Sequence, residues 1–385
     1  MTYAYERRPV RVVFQDASGF KETYGGSLDV IVLQGQHLRP AKPSDTVLIS
    51  MHPIGGTAGL PVVSWLAEQG LHVLACDSRY RGADYALIME KVLLDLGAVV
   101  RYAKEKLGYR HVALLGWSGG GSLSAFYQSQ AEHPSITQTP AGDPVDLKGA
   151  GLIPADAVLF VAAHISRHEI LTDALDASIR NEADPEDRDP QLDLYGGGVT
   201  LPLSDDFLVR YRAAQVERNR RITAKVKEKL AWLRAAGREN EEFAFVTHGT
   251  MADPRWVDPM VDPNDRRPGW CYLGDPGIVN MSPIGFARYS SLRSWLSQWS
   301  IDDARGDGPS NIATTSAPVL VINNSADDAC APSHARRLFD ATPHENKAMH
   351  QILGATHYYE RQPELGRQAA SIIDTWLGQQ GLVDA

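Results

Sequence analysis

Three cysteines, Cys76, Cys271 and Cys330, are too few and too scattered among 385 residues for a disulfide framework or a zinc-ligand spacing. Their scarcity fits a reducing compartment. No apolar run approaches the roughly 20 residues that a membrane-spanning helix needs. The stretch from Met1 to Arg8 has no apolar core of the kind a signal peptide carries, so the expectation is a cytoplasmic protein without a membrane partner. Positive charge is not in excess either. The formal net charge of −9 argues against a nucleic-acid partner. Internal repeats and low-complexity tracts are missing. What remains, 43% hydrophobic and 22% charged, is an ordinary globular composition with enough chain for one large domain or two smaller ones.

Against that plain background one stretch stands out, Gly116-Trp117-Ser118-Gly119-Gly120. The apolar run Val112-Ala113-Leu114-Leu115 leads into it, and the small residues Gly121 to Phe126 follow as the start of a buried helix. Strand, sharp turn and helix with a serine at the apex is the context in which G-x-S-x-G forms a nucleophile elbow. Side chains at 116 and 120 would collide with the neighbouring strand and helix, so glycine there lets Ser118 stand above the sheet.

The remaining chain supplies alternating strands and helices. Val10 to Phe14 and Leu28 to Leu33, around Gly25-Gly26, read as an opening hairpin. Strands are expected at 46–50, 71–76 and 157–162, with helices over about 60–70 and 85–107. A second block has strands at 317–322 and 347–353 and helices at 333–341 and 363–377. This rhythm implies a mostly parallel sheet with helices on both faces, an α/β class fold. From His164 to Ser316 the rhythm stops. That span holds an acidic stretch (182–193) and a Gly196-Gly197-Gly198 loop. After them come a long basic helix over about 205–236, with Ile222, Val226, Leu230 and Leu233 on its apolar side, and a short helix over 290–300. Its basic face is expected to be mostly solvated, with Glu217 and Glu228 as local partners.

Taken together, residues 10–163 and 317–380 resemble the α/β-hydrolase superfamily. The resemblance implies an α/β-hydrolase core over 1–163 and 317–385, with 164–316 as a large, mainly helical cap insertion. It also implies a serine on the elbow, an acid after a later strand and a histidine after the last strand, in that chain order. Ser118, Asp327 or Asp328, and His357 match it. Chemistry suits the match. A free hydroxyl needs a base to become a nucleophile, and His357 follows a strand in a loop led by Gly354. His344 and His350 lie elsewhere on that strand and its approach. For the acid, the strand–turn–acid pattern that the resemblance implies lands on Asp327 when counted forward from Pro318 and on Asp328 when counted back from Pro332. Asp327 is preferred. Asn324 stands where the family usually has glycine.

An oxyanion hole needs two N–H groups aimed at the developing charge. Gly119 supplies one by the resemblance. His52-Pro53-Ile54 matches the family's His-Gly-x loop, and because proline has no N–H the second donor is expected at Ile54. His52 reads as a structural hydrogen bonder, Arg79 as a structural arginine or a carboxylate binder, and Cys330 as a buried small residue. His164 and His168 are spaced i, i+4 but lack further ligands nearby, so no metal and no cofactor are expected. Five of the eight tryptophans, Trp232, Trp256, Trp270, Trp295 and Trp299, fall in the insertion. They would serve equally as an aromatic wall over the site or as packing, within the cap or in a homo-oligomer interface. The expected activity is hydrolysis of an ester or lactone of a mid-sized apolar or aromatic small molecule through an acyl-enzyme on Ser118. Amide or C–C bond hydrolysis by the same triad, and a non-catalytic ligand receptor, are the alternatives.

Overall fold

The computed structural model describes residues 2–17 and 19–384. Eight strands form one sheet: β1 (Tyr5–Gln15), β2 (Val30–Pro40), β3 (Thr46–Ser50), β4 (His72–Cys76), β5 (His111–Ser118), β6 (Ala157–Ala163), and, after the long insertion, two more. The spatial order is β1-β2-β4-β3-β5-β6, followed by Val319–Asn324 and Lys347–Ile352. The opening hairpin pairs antiparallel, with Val10 opposite Gly35, and β2 also meets β4 antiparallel. All other neighbours are parallel. The inner strands β3, β4 and β6 are buried along their whole length, which is why they read as unbroken apolar runs.

The pleat sends alternate residues to opposite faces. Ala113 and Leu115 of β5 join α1 (Pro61–Gln69) and the C-terminal helix Pro363–Gln379 on one face. Val112 and Leu114 join α2 (Met89–Glu105) and α3 (Gly120–Glu132) on the other. Pro61 at its first turn and Gly70 in the left-handed region just past its end bracket α1.

Between β6 and the resumed sheet, the chain makes α4 (Arg167–Ala174) and a hairpin of β7 (Ile179–Asn181) and β8 (Asp184–Arg188). It continues through the 31-residue α5 (Asp205–Ala235), β9 (Ala244–Val246), the single turns α6 (Pro254–Val257) and α7 (Pro276–Val279), and β10 (Tyr289–Ser291), which pairs with β9. Then come α8 (Leu292–Ser294), a π-helical turn at Trp295–Trp299, and α9 (Gly308–Ile312). The sheet resumes with β11 (Val319–Asn324), α10 (Pro332–Ala341), β12 (Lys347–Ile352) and α11 (Pro363–Gln379). Among the described residues no helix is long and apolar enough to cross a membrane.

Ser204 caps α5 by accepting the Phe207 N–H, with Asp205 and Asp206 in the first turn, where the helix dipole favours negative charge. The predicted stripe Ile222, Val226, Leu230 and Leu233 is buried with Trp295 and Trp299. The polar side is largely exposed, and its partners differ from expectation. Several of its cations pair with carboxylates of other segments: Arg218 and Arg221 with Glu182, Arg220 with Asp302, Lys227 with Asp303. Arg218 is itself buried, and its guanidinium also holds the carbonyls of Asp176, His248 and Gly249.

The expected helix over 290–300 is corrected too. Its first residues are a strand, because Tyr289–Ser291 pairs with Ala244–Val246, and the turn after it is wider than α, with the Ser300 N–H on the Trp295 carbonyl at 2.9 Å. Most of the tryptophans pack. Trp295 and Trp299 fill the cluster under α5, and Trp256 packs with Met251, Cys271 and Val279. Trp232 lies at the surface beneath Lys229, and Trp270 lies against Arg267.

Candidate active site

The elbow is built as its glycines require. Ser118 ends β5 with φ 52°, a left-handed conformation costly for any residue with a side chain. A Cβ at Gly116 would stand 2.7 Å from the Gly120 carbonyl oxygen, and one at Gly120 would stand 2.6 Å from that of Met51. The backbone therefore turns within van der Waals limits that only glycine meets. Ser118 itself is half-buried.

His357 lies in the loop after β12 and is buried. Its Nδ1 is 2.9 Å from Oδ2 of Asp327. The other oxygen of Asp327 accepts the backbone N–H groups of Ala329 at 2.8 Å and Cys330 at 2.7 Å, so the carboxylate is fixed on both sides. Trp117 donates its indole N–H to the His357 carbonyl and lays its ring 4.6 Å from the imidazole, while Tyr358 meets it edge-on at 4.9 Å. The acid loop and the histidine loop are tied by Asn324, which donates to the Thr356 carbonyl and accepts the Tyr359 hydroxyl. That dual bond is what the asparagine provides and a glycine could not.

Of the two candidate acids, Asp327 is the one that meets His357. Asp328 instead offers its carbonyl to the Trp256 indole N–H at 2.8 Å. Its carboxyl is pushed up to about 6, by burial first and then by the negative charge of Asp327.

The Ser118 hydroxyl lies against the thiol of Cys330. Among the described residues it makes no hydrogen bond to His357, a contact that often tightens only with substrate bound. Burial pushes the Cys330 thiol well up, so it stays protonated and neutral beside the serine. One donor atom each of Asp327, Cys330 and His357 lie within 4.8 Å of one another. Such an oxygen, sulfur and nitrogen set could ligate a metal. Here, though, Asp327 and His357 are spent on each other, and the remaining carboxylate oxygen is spent on two N–H groups.

Around Gly119 the arrangement departs from expectation. The Ile54 N–H, expected to face the oxyanion, points to Nδ1 of His52 at 3.3 Å, because the chain curls back on the residue before Pro53. The Gly119 N–H has no protein acceptor among the described residues. A Cβ placed on Gly119 would stand 2.6 Å from Nε2 of His52 and 3.2 Å from Nε2 of His164. Burial pushes the His52 imidazole down to about 3, and burial with the nearby Arg167 guanidinium pushes His164 well below its ordinary value. Both rings are therefore neutral. His168 has its Nε2 3.8 Å from Oδ2 of Asp307.

Arg79 lies away from these groups, with its guanidinium on Asp16, Glu22 and Asp95. The insertion touches the loops that carry Asp327 and His357. Asn264 donates to the Asp327 carbonyl at 2.8 Å, the Asp265 N–H to the Ser325 carbonyl at 2.7 Å, and the Tyr272 ring stands 6.3 Å from His357. Phe286 joins Tyr272 to Trp299, whose other neighbour is the guanidinium of Arg167 at 4.3 Å.

Sequence reasoning missed Trp117, Tyr358, Tyr272 and His164 as neighbours of the site. Two of these adjoin residues already singled out, and that adjacency was the available signal. Tyr272 lies in an aperiodic stretch and His164 at a strand end, and neither position announces its direction.

No protein-family model matches the sequence, and no curated protein matches it. Solved structures do match over nearly the whole chain. DcsB, determined in complex with its substrate analogue, is 14% identical with a TM-score of 0.50, covering 98% of this chain and 99% of that one. The alpha/beta hydrolase GrgF from Penicillium sp. sh18 is 14% identical with a TM-score of 0.51, covering 97% of this chain and 99% of that one. At this identity the likeness speaks for architecture, and it agrees with the sheet order and with the strand-to-helix turn at Ser118. The chain has the α/β-hydrolase fold.

Proposed function

We propose that the protein is a serine hydrolase that cleaves a carboxylic ester or lactone, with Ser118 as nucleophile, His357 as base and Asp327 as the acid that orients it. The observation that carries this reading is the Asp327–His357 pair behind a strained elbow serine. With Asp327 on Nδ1, the Nε2 of His357 is left free to take the Ser118 proton. Ser118 Oγ then bonds to the acyl carbon, and the carbonyl electron pair moves onto oxygen, where the Gly119 N–H receives it. Collapse expels the alcohol, protonated by His357. A water, deprotonated by the same imidazole, releases the acid and restores Ser118.

The neighbours of the site support the substrate class. Trp117, Tyr358 and Tyr272 lie against His357, with Phe286 behind Tyr272, an aromatic surround that favours a mid-sized apolar or aromatic acyl or alcohol group. Fluorophosphonate labelling of the intact protein, lost in Ser118→Ala, tests the nucleophile. A p-nitrophenyl ester chain-length series tests the wall: turnover is expected to rise from acetyl to longer or aromatic acyl groups. The nucleophile assignment would be abandoned if the native protein were not labelled, and the substrate class if acetyl were far preferred.

A further inference from the structure

An oxyanion hole with one backbone donor is incomplete, and the loop after β3 cannot supply the second in the ordinary way. Pro53 has no N–H, and the Ile54 N–H is directed to His52. The same bond fixes the chemistry of the ring. Because Nδ1 accepts the Ile54 N–H, the neutral imidazole carries its proton on Nε2. That nitrogen is the atom closest to the side-chain position of Gly119, the residue whose N–H follows the nucleophile.

We propose that the His52 Nε2–H is the second donor of the oxyanion hole, the imidazole carrying out to the substrate a polarity that the Ile54 amide sets from behind. The inference rests on the serine-hydrolase reading given above.

Three features suit the role. The ring is buried, in tilted contact with Trp117 at 6.2 Å, so it is held before the reaction begins. A neutral donor can share its proton with a developing oxyanion without giving it up, as a charged imidazolium would be prone to do. Burial keeps it neutral across the working pH range. Glycine at 119 is then needed for a second reason: any side chain there would occupy the gap in front of His52. His164 flanks that gap from the β6 side. Its Nδ1 is buried without a partner among the described residues, so its proton position is not fixed by a neighbour there and it serves as the wall rather than the donor.

The test uses the full chain with p-nitrophenyl butyrate as substrate and an aryl trifluoromethyl ketone as probe of the tetrahedral oxyanion. In His52→Ala, kcat is expected to fall about 10²–10³-fold with KM changed by less than about threefold. Trifluoromethyl ketone affinity should fall in parallel. His52→Gln, which restores a side-chain N–H, should recover part of both. A merely structural role would move KM, thermal stability and ketone affinity without that proportion. Unchanged kcat in His52→Ala, or lost kcat with undiminished ketone affinity, overturns the proposal. If His52→Ala does not fold, the His52→Gln pair of constants decides: both close to wild type supports it, and kcat lost with ketone affinity kept rejects it. Fluorophosphonate labelling of Ser118 separates the two readings. Labelled Ser118 with an indifferent His52 sinks this inference alone, whereas an unlabelled wild type sinks both.

Discussion

Oδ2 of Asp327 sits 2.9 Å from Nδ1 of His357, while the carboxylate of its neighbour Asp328 makes no bond to the imidazole among the described residues. The two side chains, adjacent in sequence, are therefore expected to differ sharply in function. Asp327→Asn should lower kcat by roughly 10⁴-fold by leaving the histidine in the wrong tautomer. Asp328→Asn should stay within about threefold of wild type. Steady-state kinetics on one p-nitrophenyl ester, with circular dichroism to confirm folding, checks the pair. Equal losses would remove Asp327 from the assigned role.

Cys330 gives a second contrast. A thiol beside a nucleophile could be mistaken for a reactive one, but burial keeps it protonated. Iodoacetamide at pH 7.5 is expected to leave Cys330 unmodified in the native protein and to alkylate it after denaturation, as read by peptide mass spectrometry. Rapid native alkylation would mean the thiol ionises where it stands.

The Asn264 amide holds the carbonyl of Asp327 from the insertion. Removing it in Asn264→Ala should cost about 1 kcal/mol of local order. We expect kcat to fall severalfold to tenfold with KM little changed, since the loss acts on the acid rather than on the substrate wall. A large KM effect with kcat intact would place Asn264 against the substrate instead.

At the far end of the sheet, His37 and His72 share the hydroxyl of Tyr109 at 2.8 and 2.6 Å. Burial first, and the charge of His72 next, pushes His37 down to about 4 from its ordinary 6.5. The unfolded chain therefore binds the proton more readily than the folded one between these values. Stability is full above pH 6.5 and is lost as pH falls from 6.5 toward 4. Thermal unfolding at pH 7, 5.5 and 4 should show a falling midpoint, with a shallower slope in His37→Gln. A flat profile would contradict the burial argument.

The strands that form the site's floor could be read from the sequence, because residues buried on both faces leave an apolar run that nothing else explains. Thr46–Ser50 is that case. The places of Ser118, on a strand-to-helix turn, and of His357, in the loop after the last strand, were legible through local signals: flanking glycines in one case and the end of a strand in the other. Which of Asp327 and Asp328 meets His357 was not, because a one-residue shift in a loop leaves no periodicity behind; it shows only in the bond of Asp327 to the imidazole, with its other oxygen held by the Ala329 and Cys330 N–H groups. The fate of the Ile54 N–H was equally hidden, since it depends on how a proline-containing loop curls toward its own histidine. The wiring of α5 escaped for another reason. Its partners Glu182, Asp302 and Asp303 lie far along the chain, whereas Glu217 and Glu228 merely lie near.

The parallel pairing of β6 with β11 carries a topological obligation. A chain leaving one end of β6 must re-enter β11 at the opposite end, so some segment has to travel the length of the sheet before Val319 can sit beside Val158. In this molecule that return path is the tail of the insertion. Its helix α9 plants Ile312 among Ala125, Phe160 and Leu338 beneath the strands. The insertion thus has two trades in one length of chain: one part, through Asn264, Asp265 and Tyr272, touches the loops that carry Asp327 and His357, and a late part carries the chain back to where β11 begins.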